Sequence, residues 1–349
     1  MRIKRMVCLS VAMLGVTAST AVASASATTL NEAGSSLVYP LVARWSLAYH
    51  NVSISTAPGG SGVGQKDIIE NAVDIGGSDA PMSASNYAAD THNPIEIPWA
   101  LTATGVGYNV PGVKTGLRLT PAVIAGIYTG KITRWGAAPI VRLNKRYTKA
   151  LRRAGKITPV FRSDGSGDSF AFQNFMYHAA PKIWTTVPTT QFPTTVGVGE
   201  NGNAGVAGEV HQNKGTIGYI SAYYLLDLHI TTAAVQNAAG NFEFPDPKNI
   251  ADASLSNSKI PPQGTDFTNA NGVPIQWAPK KYKIAYPIAT YTYALVNKGT
   301  QPYGGLSFPQ LQAFLSWAIT SGQKLGGPLD FVPLPKSIVN ADRALINSL

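Results

Sequence analysis

Arg162-Ser163-Asp164-Gly165-Ser166-Gly167-Asp168-Ser169-Phe170 stands between an extended apolar run, Ile157 to Phe161, and a helix-forming stretch from Phe170 to Ala179. The order reads as strand, small-residue turn, helix start. The first turn of a helix leaves backbone N–H groups without internal partners, and the helix dipole favours negative charge there. Glycines let the backbone approach a ligand, serines add hydroxyl donors, and Arg162 brings a planar cation suited to a tetrahedral oxyanion. Two readings stay open on this stretch alone. It is either an anion cradle or an ordinary N-capped turn in which Asp164 pairs with Arg162 for structure only.

The same grammar recurs upstream. Leu30 to Ser36 leads into an amphipathic run with Leu37, Leu41, Trp45 and Ala48 at helical spacing, Pro40 in the tolerated first turn and Ser36 as the expected N-cap. Val52 to Ser55 alternates like a strand, and Pro58-Gly59-Gly60-Ser61-Gly62-Val63-Gly64-Gln65-Lys66 then opens a helix carrying Ile68, Ile69 and Ala72. This is a near miss to a nucleotide-binding P-loop: Gln65 puts the lysine one place late, so only the anion-cradling geometry is kept. Val73 to Ser78 reads as a short buried strand whose exit turn holds Asp79, ahead of Pro81. A carboxylate beside an anion site repels its ligand unless the ligand can donate a proton. The alternative for Asp79 is an Asx-type turn residue.

Taken together, Ala33-Gly34-Ser35-Ser36-Leu37 with Trp45, Gly60-Ser61-Gly62, Val73 to Pro81, Gly130-Lys131-Ile132-Thr133-Arg134-Trp135, Arg162 to Gly167 and Lys214 to Tyr219 resemble one family: the phosphate-binding proteins of the high-affinity phosphate ABC transporter. The resemblance implies an α/β, two-lobed periplasmic-binding-protein fold of type II. Each lobe would be a mixed sheet flanked by helices, with a hinge between. It also implies a discontinuous first lobe, residues 28–104 plus 288–349, and a second lobe, 105–287, with crossings near Leu101–Tyr108 and Lys283–Thr292. Ser36, Ser61, Ser166, Arg162 and the backbone N–H groups of Leu37 and Gly167 would donate to inorganic phosphate. Asp79 would accept a hydrogen bond from the protonated ligand, which sulfate cannot offer, and Asp164 would orient Arg162. One position departs from the family pattern. Where many members carry threonine after Ser-Gly, this chain has Asp168, which either turns away to cap the helix or selects a phosphate carrying two protons.

Other stretches are read more coarsely. Arg142 to Lys156 carries seven cations and no acidic residue, a basic insertion at 142–156 that is either a solvated face or a steering device for phosphate. Glycine-rich Gly197 to Asn203 leads into a helix, and Gly215 to Ser221 reads as a buried strand. Asp246 to Pro274 reads as a polar surface excursion, and Phe308 to Thr320 as an amphipathic helix.

The N-terminus has Arg2, Lys4 and Arg5, an apolar run from Met6 to Val16 and overlapping A-x-A sites. Residues 1–27 are therefore expected to be a secretory signal peptide. Cys8, the single cysteine, precedes the end of that apolar run, so neither a lipid anchor nor a disulfide is expected. The product would be released across the cytoplasmic membrane, periplasmic or cell-surface associated, as a monomer serving membrane permease subunits. The formal net charge is +10, yet export and a charged fraction of only 13% argue against nucleic acid. Few carboxylates also suit an acidic habitat. No His/Cys/Asp group has metal-ligand spacing, and neither a metal nor a cofactor is expected. The competing readings are a binder of another tetrahedral oxyanion, sulfate or arsenate, and a secreted serine esterase. The latter rests on Gly167-Asp168-Ser169-Phe170, a near miss to a Gly-Asp-Ser-Leu signature, but none of the five histidines stands in a convincing local motif. Binding rather than catalysis is expected.

Overall fold

The computed structural model describes residues 28–193, 196–263 and 275–349. The expected signal peptide and residues 264–274 of the expected surface excursion lie outside them. The strands among the described residues are β1 (Thr29–Gly34), β2 (Ser53–Pro58), β3 (Ile75–Ser78), β4 (Pro94–Tyr108), β5 (Arg118–Leu119), β6 (Thr158–Arg162), β7 (Val198–Glu200), β8 (Thr216–Ser221), β9 (Ala234–Gln236), β10 (Phe242–Glu243) and β11 (Ala289–Asn297). The helices are α1 (Tyr39–Ala48), α2 (Ser61–Ile69), α3 (Ala84–Ala89), α4 (Pro121–Tyr128), α5 (Ala138–Leu143), α6 (Thr148–Ala154), α7 (Gly167–Ala179), α8 (Gly202–Gln212), α9 (Ala222–Asp227), α10 (Pro247–Ser254), α11 (Phe308–Ala318) and α12 (Lys336–Ile346).

Eight strands form one sheet in the order β2-β1-β3-β11-β4-β8-β6-β7, and β10-β9-β5 form a small second one. In the large sheet β1 runs parallel to β2 and β3, while β6 runs parallel to β7 and β8. These two parallel groups are joined through antiparallel β11 and β4. β4 is the shared member. Its residues Pro94 to Ala103 pair with β11, and Thr104 to Tyr108 pair with β8. All fifteen of its residues are buried and most are apolar, as a central strand covered on both faces requires; Glu96, Thr102 and Thr104 are the buried polar exceptions. Pro98 is tolerated because the register against β11 shifts beside it, between Thr292 and Tyr293.

Each half of the sheet has its own aromatic core. In one, Trp45 of α1 meets Trp99 edge-on at 5.4 Å, and Phe314 and Trp317 of α11 close around it. In the other, Tyr128, Phe172, Phe192 and Tyr219 pack together, Phe172 stacking on Tyr219 at 4.6 Å. Full burial of each such ring stabilises by roughly 1.5–3 kcal/mol. Among the described residues no helix is long and apolar enough to cross a membrane.

The fold corrects three expectations. α1 begins two residues later than Leu37, and its N-cap is Val38, not Ser36. No side chain caps α1; Ser35 Oγ accepts from Leu37 N at 3.0 Å and Val38 N at 3.2 Å in the turn that precedes it. α7 starts at Gly167 rather than Phe170, with Ser166 as cap. Residues 247–254 form the helix α10, whose Ile250 and Ala253 are fully buried, so that part of the expected excursion is core. By contrast α11 buries Leu311, Phe314, Leu315 and Ala318, the four positions its spacing indicated.

Candidate functional site

The turns singled out in the sequence all follow the C-terminal ends of parallel strands. Ser35 and Ser36 follow β1, Gly60 and Ser61 follow β2, Asp79 follows β3, and Ser163 to Ser166 follow β6. In an open parallel sheet this is the end where ligands sit, because strand ends and helix starts leave backbone N–H groups facing a crevice. Ser36, Leu37, Ser61, Asp79, Arg162, Ser166, Gly167 and Asp168 are all buried, and Asp164 is nearly so.

The two sheet halves meet through these residues. Gly62 N donates to Gly165 O at 2.8 Å, and Gly167 N donates to Ser61 Oγ at 3.0 Å. Ser61 Oγ also accepts from Asp79 N at 3.0 Å and donates to Asp79 Oδ2 at 3.2 Å. Ser35 Oγ donates to the Asp79 carboxylate at 2.6 Å. The approach is too close for side chains: a Cβ on Gly167 would lie 2.4 Å from Asp79 Cβ.

Arg162 is the cation of the site, 2% exposed. Its Nε donates to Asp164 Oδ1 at 2.7 Å, a second guanidinium nitrogen donates to Asp164 Oδ2, and Nη1 donates to Asp168 Oδ2 at 3.1 Å. Tyr219 holds it from behind: its hydroxyl accepts from Arg162 N at 2.9 Å and lies 2.7 Å from Ser169 Oγ. The aromatic core of this half thus fixes the backbone that carries Arg162, while Asp164 and Asp168 hold its guanidinium. The arrangement also occupies the hydroxyl of Ser169 and buries it completely, which argues against a nucleophile there.

Asp168 does not cap α7. Ser166 Oγ takes that role, accepting from Ser169 N at 3.3 Å. The Asp168 carboxylate points into the cluster, accepting from Thr104 Oγ1 at 2.6 Å, Asn203 Nδ2 at 2.6 Å and Arg162. The turning-away alternative is thereby overturned, because a nearer hydroxyl satisfies the helix start and the guanidinium attracts the carboxylate.

Sequence reasoning missed four contributors. Ser35 and Tyr219 stand in the sequence only as parts of motifs, and Thr104 only within an expected crossing between lobes. Asn203, the fourth, binds both halves together. It donates to Ser36 Oγ from its backbone and its side chain, each at 3.1 Å, and its Oδ1 accepts from Ser221 N at 2.7 Å. Gly202 N adds a bond to Asp164 Oδ1 at 3.1 Å. The start of α8 is thus a fourth helix N-terminus at the site. Its signal was the glycine-rich run before Asn203.

The electrostatics are those of one guanidinium among three carboxyls. Burial, and then the charge of Asp168, push the Asp79 carboxyl up to about 7, against the hydrogen bonds from Ser35 and Ser61. Burial also raises Asp168, although Arg162, Thr104 and Asn203 oppose it. Asp164 is held below its usual range: burial works the other way, but the bonds from Arg162 outweigh it. The cluster can therefore hold a small anion on serine hydroxyls, helix N–H groups and a fixed guanidinium. Its two buried carboxyls accept a hydrogen bond only from a ligand that still carries protons.

Comparison with known proteins agrees over most of the chain. Residues 19–321 match the PBP superfamily domain. The phosphate-binding protein PstS of Xylella fastidiosa (strain 9a5c) is 32% identical over 320 residues, covering 89% of this chain and 82% of that protein. The phosphate-binding protein PstS of Pasteurella multocida (strain Pm70) is 29% identical, covering 95% of this chain and 94% of its own. Among solved structures, a putative phosphate ABC transporter substrate-binding protein with bound phosphate, from Clostridium perfringens, superposes with a TM-score of 0.60. It is 21% identical and covers 88% of this chain and 100% of its own, a likeness of fold.

Proposed function

The chain belongs to the PBP superfamily and, with it, to the phosphate-binding proteins, and we propose that it captures inorganic phosphate between its two lobes and hands it to an ABC-type permease. The observation that carries this reading is Asp79: a fully buried carboxyl, gripped by Ser35 and Ser61, facing the one buried guanidinium of the site. A desolvated anion needs many fixed donors; Ser36, Ser61, Ser166 and Arg162 supply them, joined by the N–H groups of Leu37 and Gly167 when phosphate replaces Ser35 Oγ and Ser61 Oγ as their acceptors. Asp164 fixes the guanidinium plane by a two-pronged bond. Asp79 accepts from a protonated phosphate oxygen. Sulfate, fully ionised, would leave that carboxylate buried and unpaired, and such an unmet partner rejects a ligand by roughly 10⁴–10⁵. Asp168 adds a second acceptor beside Arg162, which favours the doubly protonated form.

The lobes in this reading are residues 28–104 plus 288–349, and 105–287. The change of partner along β4 at Ala103 and Thr104 supports the boundary, as does the 3.0 Å bond from Thr104 N to Ile288 O. The hinge lies where β4 and the entry to β11 cross between the lobes. The protein works as a monomer outside the cytoplasmic membrane, without a lipid anchor, as a binder and not an enzyme.

Replacing Asp79 by Asn tests the reading. The amide keeps the volume but offers sulfate a donor. Competition binding is expected to show phosphate weakened and sulfate admitted. Unchanged discrimination in Asp79→Asn would remove Asp79 from the mechanism.

A further inference from the structure

From Ile97 to Ser163 the chain has twelve Lys and Arg residues and no Asp or Glu. All of the twelve except Arg162 are exposed, and among the described residues none of those eleven forms an ion pair. This one stretch carries more positive charge than the net +10 of the whole molecule.

These cations are gathered in space as well as in sequence. α5 borders two grooves, the second of which α6 also lines. One, of about 920 Å³, is lined by Arg118, Lys145 and Arg146 together with Thr115 and Asn144, with Glu243 its single acidic wall residue. The Glu243 carboxylate accepts from Asn249 Nδ2 at 3.2 Å. The other groove, of about 470 Å³, is lined by Lys131, Arg134 and Arg152. Two of the arginines rest on aromatic faces, Arg118 over Phe242 at 5.4 Å and Arg146 over Tyr147 at 4.5 Å, weak contacts that bias their orientation. Asn144 ties the segment to β5, accepting from Arg118 N at 2.8 Å, and an isolated bridge joins Arg134 to Lys156.

The patch lies away from the cleft. Lys156 precedes β6 and Arg162 ends it, six residues of nearly extended chain, or about 20 Å. Charges that far apart across water are screened at physiological ionic strength, where the Debye length is about 8 Å. Steering phosphate into the cleft is therefore not what this patch is suited for.

We propose that the two basic grooves bordering α5 bind an extended polyanion with regularly spaced phosphate groups, a polymer of the space outside the cytoplasmic membrane. Arginine forks match phosphate oxygens in pairs, and cations lining recessed grooves suit a strand that can enter them better than a flat bilayer surface. The orientation rests on the proposed function: if the cleft faces the permease, this pole faces away from the membrane.

The test uses the chain from residue 28, saturated with inorganic phosphate so that the cleft is filled, and titrated with long-chain inorganic polyphosphate. Binding is expected that weakens steeply with salt, as counterion release requires. Substituting Arg118→Glu, Lys145→Glu and Arg146→Glu together is expected to lower that affinity at least about tenfold at physiological salt. The matched substitution of exposed Arg44, Lys324 and Lys336 by Glu leaves it within about twofold, because surface charges act locally in salt. Both variants keep wild-type affinity for inorganic phosphate. Equal loss in the two variants, no polyphosphate binding, or patch-dependent binding to anionic phospholipid vesicles instead would overturn the proposal. So would loss of inorganic phosphate binding in the patch variant, which would return the patch to the cleft. Failure of the unaltered chain to bind inorganic phosphate would sink the cleft reading alone.

Discussion

At the scale of single residues, Asp168 decides how the site responds to protons. Its charge is one of the causes that hold the Asp79 carboxyl near 7, so removing it lowers Asp79. In Asp168→Thr the phosphate-affinity optimum is expected to move to higher pH, because the site no longer asks its ligand for a second proton; calorimetry across pH 4.5 to 8 reads this directly, and an unmoved profile would separate Asp168 from the ligand. Asn203 is the second telling residue. Asn203→Ala removes its side-chain bonds to Asp168, Ser36 and Ser221 while sparing the cleft's other donors. Losing a bond to a buried charged partner costs about 1–3 kcal/mol, so phosphate affinity is expected to fall roughly 5- to 150-fold by titration. The sequence made Asp79, Arg162 and Ser166 legible because each sits in a local motif whose backbone geometry is nearly self-contained. Asn203 was not legible: it meets Ser36 across 167 residues of chain, a contact set by how two sheet halves close, which no local pattern encodes. The misplaced role of Ser36 has the same cause: its hydroxyl is engaged by Asn203 from the other half, while Ser35 takes the N–H groups of the turn before α1.

At the scale of elements, the site depends on how close helix starts can come. Gly60, the N-cap of α2, has φ +86°, and a Cβ there would lie 2.4 Å from Asp164 Oδ2. Gly60→Ala therefore strains the backbone and pushes on the carboxylate that orients Arg162. A loss of about 1–3 kcal/mol is expected in urea unfolding, with weaker phosphate binding beside it; wild-type stability would show that the α2 turn relaxes freely. α11 was readable because burial on one face writes helical apolar spacing into the chain, and β3, β6 and β8 because each is a short apolar run. The first ten residues of β4 and the short strands β5, β7, β9 and β10 carry no such signal. Helix starts were less readable, as with α7, where Gly167, Asp168 and Ser169 read equally well as turn. α10 was misread because its buried face is small and the surrounding residues are polar.

At the scale of the whole molecule, buried carboxyls link stability to pH. Burial pushes Glu32 to about 8 and Asp342 to about 9, alongside Asp79 at about 7. Glu32 Oε1 and both carboxylate oxygens of Asp342 have no hydrogen-bond partner among the described residues. In the unfolded chain these groups ionise near pH 4. Between about pH 4 and 9 the folded state therefore holds more protons, and stability falls as pH rises through that window. The ligand-free protein is expected to unfold at higher urea concentration at pH 5 than at pH 8, and Asp342→Asn should flatten the alkaline part of that decline. A stability that instead rises from pH 5 to 8 would mean these carboxyls are solvated or paired in solution. The proposed capture of a protonated anion rests on one of these carboxyls, Asp79. Its most direct test is a calorimetric titration of the chain from residue 28 with inorganic phosphate in a large excess of sulfate, at pH 4.5 and 7. Tight one-to-one binding that sulfate does not displace is expected at pH 7, with sulfate competing more effectively at pH 4.5, where an Asp79 carboxyl raised to about 7 is protonated and donates to sulfate as an amide would. Absence of phosphate binding, or equal competition by sulfate at pH 7, would contradict this.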